Sequence, residues 1–246
     1  MDVATRIRSA MESVAALRRT HTQDSSLMDA VHQVKRLQSR RFEGSYPDLF
    51  SKRETNEAAN FFLSELYGAD DFSERDAQFA RIAGAVQSYF PKQVGVVAAA
   101  LAELHALTED LDHAMATHWA EVAPARSDAA RYADAWRKVG RRQDRQTQLE
   151  VVMTIGAELA RLTRLPGLRL MLKMMRGPAT AAGLSALQAF LEKGFDTFAQ
   201  LSRSDPGARN FLGAVRTRED AFIALMFDAD RVACETELER TLGQAR

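Results

Sequence analysis

The sequence predicts an all-α fold, a bundle of about eight to ten helices without a sheet. Apolar residues recur every three to four positions along nearly the whole chain, and alternating β-branched runs are absent. Only 6 prolines and 13 glycines interrupt 246 residues rich in Ala, Leu, Arg and Glu, a composition that favours helix. Hydrophobic content of 46% beside 27% charged residues suits a folded chain with a sizeable core. We expect a single helical domain over 1–246, in which an N-terminal hairpin (1–42) lies on a bundle formed by 54–243.

Val3, Ile7, Met11, Val14 and Leu17 mark the first helix, and a turn is expected over 20–26. The second carries Leu27, Val31, Val34 and Leu37 behind a capping box from Ser26 to Asp29. Gly44 and Pro47 predict a connector over 40–50, packed down by Phe42, Tyr46, Leu49 and Phe50. A helix bearing Phe62, Leu63, Leu66 and Tyr67 then stops at Gly68. Ser73 to Asp76 has the form of a capping box for the next helix, which turns Phe79, Ile82 and Val86 inward. Phe72 is placed to plug the corner between the two. Tyr67, Asp71, Arg75, Asp76 and Arg81 would form the polar rim of a binding corner, or simply cap and pair at a helix junction.

These residues also carry a resemblance. Phe61, Phe62, Leu63, Glu65, Leu66, Tyr67 and Gly68 lead into Asp71, Phe72, Arg75, Asp76, Phe79 and Arg81. A second match runs from Arg176 to Phe198. Together the motifs resemble an uncharacterised family of helical proteobacterial proteins over roughly residues 40 to 200. The resemblance implies a helical, bacterial, cytosolic protein and brings no catalytic residue with it.

Pro91 opens a long helix over about 92–119, with Leu101, Leu104, Thr108, Leu111 and Met115 on one stripe. His105, Glu109, Asp112 and His113 flank that stripe. They read as a solvated acidic flank, or as a single buried His105 hydrogen-bonded across the bundle. Asp110 and His113 have the acid-x-x-His spacing of carboxylate di-iron bundles, but all five histidines precede residue 119, so a second such pair is absent. No metal and no cofactor is expected. Ser127 caps the next helix, whose Lys138, Arg142 and Arg145 would project together as a basic strip. A helix through Val151–Leu165 ends at Pro166 and Gly167. In 168–176, Leu170, Met171, Met174 and Met175 oppose Arg169, Lys173 and Arg176. That pattern fits a core helix first, then a partner groove, then a membrane surface. Ala179 to Ala186 gives the next helix a smooth start before Phe190, Phe195 and Phe198, and 204–207 breaks the chain. A final helix, capped at Thr217 to Asp220, buries Phe222, Leu225, Met226 and Val232.

Formal net charge is zero but segregated. Residues 69–125 hold 3 basic and 9 acidic groups, residues 126–203 hold 14 and 7, and the two segments are expected to face each other. Cys234 alone excludes an internal disulfide and reads as packing. The N-terminus lacks an apolar run of signal length, and the longest apolar run, 94–102, is too short to span a bilayer, so a cytoplasmic location is expected. Glycine-rich phosphate loops, His-Glu-x-x-His and Gly-x-Ser-x-Gly are absent. The chain therefore reads as a non-catalytic module that holds another protein or itself through the 61–82 corner or Met174. One alternative is a bundle enclosing a cofactor or apolar ligand near His105. Nucleic-acid binding through 137–145 is disfavoured, because only Tyr132 and Trp136 offer stacking platforms.

Overall fold

A computed structural model describes residues 1–65, 67–68, 72–121, 126–203 and 206–245, and every regular element among them is helical. Among the described residues ten helices have ten or more residues: α1 (Val3–Gln23), α2 (Ser25–Ser45), α4 (Asn56–Glu65), α5 (Ser73–Tyr89), α6 (Lys92–Glu121), α7 (Asp128–Val139), α8 (Arg142–Leu162), α11 (Ser185–Leu201), α12 (Gly207–Asp228) and α13 (Arg231–Leu242). Three short segments join them: α3 (Pro47–Ser51), α9 (Leu168–Met174) and α10 (Arg176–Ala181).

Two apolar clusters hold these helices together. The larger gathers α2, α4, α7, α8, α12 and α13 around Phe42, Phe62, Trp136 and Phe211. The smaller seals α1 against α5 and α6 through Ile7, Val14, Phe79 and Ala99. At 30 residues α6 is about 45 Å long, enough to supply Ala99 and Ala102 to one cluster and Met115 and Trp119 to the other. Phe190 of α11 packs against both. The internal cavities lie along this seam.

Several local expectations give way to tertiary contacts. The turn expected at 20–26 shrinks to Asp24, whose carboxylate caps α2 through the amides of Ser26 and Leu27. Helix α2 runs through Gly44, which serves close approach rather than a break: a Cβ there would lie 1.9 Å from the Thr241 carbonyl oxygen. Phe72, not Ser73, occupies the N-cap of α5, and Asp76 points into the bundle instead of back to the cap. Gly140 (φ 64°) ends α7 in the left-handed region, so the basic residues of 137–145 lie on two helices. Gly183, also left-handed, separates the alanine-rich α10 from α11. Thr217 and Asp220 lie inside the continuous α12; the cap of the last helix is Asp230. Val232 is 73% exposed, and α9 buries none of its residues, contrary to a core role. Ser127 caps α7 and Cys234 is fully buried beside Met226, as the sequence suggests.

Candidate ligand-binding site

Helices α2, α5, α6, α8 and α12 converge on a cavity of about 100 Å³ whose lining is unusually polar for a bundle interior. Each element presents an inward polar side chain one or two turns from an apolar one. In α2, Gln38 and Arg41 follow Val34 and Leu37. In α8, Arg145 precedes Leu149 by one turn. Because the apolar neighbours anchor each helix, the polar groups are held where water is scarce.

At one end Arg41 is fully paired as a charge. It forms a short ion pair with Glu219, which also accepts from the Tyr46 hydroxyl at 2.7 Å. The guanidinium lies over Phe222, 4.4 Å from the ring centroid. Burial opposes the charge, but Glu219 together with Tyr67 and Tyr46 raises the Arg41 pKa. At a second end Asp76 accepts from His105 Nε2 at 2.8 Å and from Arg18 at 2.7 Å. Burial pushes this carboxyl upward; His105 and Arg18 prevail and hold it below the usual carboxylate range. Arg75 pairs with Glu65 at 3.0 Å and lies between the rings of Phe72 and Phe190.

The third end is different. Arg145 is 6% exposed, stacks 4.2 Å from the Trp136 ring centroid, and makes only a long contact of 3.5 Å to Gln148. It has no carboxylate within ion-pair distance among the described residues, and burial lowers its pKa. Five buried side-chain polar atoms lack a protein partner among the described residues. Three of them, Arg145 Nη2, Arg41 Nε and Trp136 Nε1, belong to side chains that line this cavity, whereas Arg131 Nε and Ser202 Oγ lie elsewhere. All three are N–H donors without an acceptor. Such groups cost roughly 1–3 kcal/mol each when left unmade. A small oxyanion supplies several acceptor lone pairs at one point, which is the chemistry this wall would take.

Of the residues singled out from sequence, Tyr67, Arg75, Asp76 and His105 are brought together on the cavity wall. They face inward rather than forming an external rim; Tyr67 stacks on Phe42 at 4.5 Å. Phe72 joins this group through Arg75, whose guanidinium lies 4.1 Å from its ring centroid. Arg81 instead donates to the Gly183 carbonyl at 2.6 Å on an exposed surface, and Met174 is 64% exposed on α9. Asp71 lies outside the described residues. Glu109 and Asp112 are buried, not a solvated flank: Lys35 pairs with Glu109, and Gln38 donates to Asp112 at 2.9 Å. The basic strip dissolves, since Lys138 reaches Glu121, Arg142 reaches Asp228 and Arg145 turns inside. The acidic 69–125 segment is shared between this region and the N-terminal helices, through Arg141–Asp110 as well as Arg6–Glu103 and Lys35–Glu109.

The sequence reading missed Arg41, Trp136 and Glu219. A signal existed for the first: Val34, Gln38 and Arg41 continue the inward stripe of α2 at helical spacing. The chain belongs to the family described as Domain of unknown function (DUF8198), whose model matches residues 17–233. No curated protein and no solved structure matches it. Among the described residues no helix is long and apolar enough to cross a membrane.

Proposed function

We propose that this protein is a non-catalytic binding protein that holds a small anionic ligand inside the bundle, between Arg145, Arg41 and Trp136 and beside His105. One observation carries the reading: three acceptor-less N–H groups, two of them on buried arginines, belong to side chains that line the same cavity. Arginine keeps its proton even when buried, so the charge at Arg145 must be met by an anion or carried at a cost. Isothermal titration of the full chain with acetate and with inorganic phosphate tests it. Heat that saturates at one site and disappears in Arg145→Met is the expected result; no saturable binding of either anion would overturn it. Membership of a proteobacterial, cytoplasmic group and organisation as one domain belong to the same proposal, supported by the motif resemblance and by the seam residue Phe190.

A second reading rests on a separate observation. Leu170 and Met174 on α9 are 61% and 64% exposed, with Met175 and Leu165 beside them. On this reading α9 holds another protein or a second copy of the chain. Sedimentation velocity of the wild type and of Met174→Glu tests the self-associating form, which requires a concentration-dependent dimer lost in the variant.

A further inference from the structure

A second cavity of about 140 Å³ lies against the first, and every side chain lining it is aliphatic or aromatic, glycines apart. The two share a wall that includes Phe62, Phe79, Leu104 and Phe190. One chamber thus offers arginine and indole N–H donors without acceptors, its carboxylates Glu65, Asp76 and Glu219 being paired with Arg75, Arg18 and Arg41, and the adjacent one offers only apolar surface. A purely apolar cavity of about 150 Å³ takes up a benzene-sized group. Resting on the anion-binding reading, we infer that the ligand is an amphipathic monocarboxylate: its carboxylate meets Arg145 and its alkyl or aryl body enters the apolar chamber.

The outer side of that chamber is α9, which lends Leu168 and Leu172 to the lining while its other face is exposed. A body reaching from the arginines must displace or slip past the shared side chains. Burying each added methylene would then tighten binding, and a cation in place of the carboxylate would meet Arg145 with like charge.

Isothermal titration of the full chain with acetate, butanoate, hexanoate, octanoate and octylamine tests the inference. Kd is expected to fall by about fourfold per methylene until the chamber is full, then to level off. Octylamine should not bind. Ala98→Phe, which fills the chamber from α6, should flatten the series and leave acetate unchanged. Leu172→Trp on the surface helix α9 makes the same test should the first variant fold poorly. Arg145-dependent acetate binding without a chain-length gain would overturn this inference and leave the anion reading standing. Loss of acetate and phosphate binding altogether would remove both. Octanoate and octylamine binding alike, indifferent to Arg145→Met, would show unspecific apolar uptake and also overturn it.

Discussion

Arg41 and Arg145 line the same cavity and are 4% and 6% exposed, yet their surroundings are opposite. Arg41 lies against Glu219, which Tyr46 also holds, and its pKa is raised. Arg145 lies on an indole face with a glutamine at 3.5 Å, and its pKa is lowered. Burial of a cation is therefore not in itself a sign of function, since an internal carboxylate makes it structural. The informative case is the cation with no carboxylate within ion-pair distance, which Tyr132 and Asp112 support only from farther off. The difference separates a clamp that joins α2 to α12 from a buried cation with an N–H that no described protein group meets.

The sharpest way to break this contrast is to remove each cation in turn. Arg41→Met leaves Glu219 buried and uncompensated, and urea unfolding should show a loss of about 3–5 kcal/mol. Adding Glu219→Leu removes the stranded charge and should restore much of that loss, a coupling that a double-mutant cycle measures directly. Arg145→Met should behave differently. It removes an unpaired buried charge, so stability in the absence of ligand should stay level or rise by up to about 2 kcal/mol. A loss at Arg145 equal to that at Arg41 would mean that both ends are structural.

Asp112 sharpens the comparison further. Burial raises its carboxyl pKa, with Lys35 and Arg145 pulling the other way. A carboxyl raised on folding adds stability that is complete below its ordinary value of 3.8 and is lost as pH rises through the folded value. Asp112→Asn removes that loss, so the variant should match or exceed wild type at neutral pH, within about 1 kcal/mol. Thermal melts from acid to neutral pH read the result. A strong destabilisation would identify Asp112 as the partner of Arg145 and close the third end of the cavity.

Helix type and helix faces were legible because they depend on periodicity, which survives in one dimension. Phe62, Leu104 and Met115 are buried, as their helical spacing predicts. The polar interior was harder to read. Asp76 carries a legitimate capping signature with Ser73, and nothing local indicates that Arg18 and His105, 58 and 29 residues away, outbid the cap. Arg145 follows Arg141 and Arg142 in a run that ordinarily faces water; only the left-handed turn at Gly140 rotates it inward relative to Lys138. The opposite error occurs at Met174, where an apolar stripe too short to be held by other helices lies on the surface. Legibility thus ends where a side chain's partner lies on another helix.

The histidine pair outside the cavity provides the smallest effect and the control for the rest. His21 Nε2 lies 3.1 Å from His113 Nδ1, with Glu109, Lys35 and Arg18 as the neighbouring charges. Burial, then His113, pushes the His21 pKa below its ordinary 6.5, while Glu109 pulls it upward. An imidazole depressed on folding is protonated first in the unfolded chain, so stability falls as pH drops from 6.5 towards the folded value. Melting temperature should decline over that interval, and His21→Gln should flatten the decline. Arginine does not titrate there. The stability gap between Arg41→Met and Arg145→Met is therefore compared at neutral pH, above this interval, because Arg41→Met leaves the Glu219 carboxyl without its cation. A decline that His21→Gln left unchanged would mean that another group sets the acid limit of the fold.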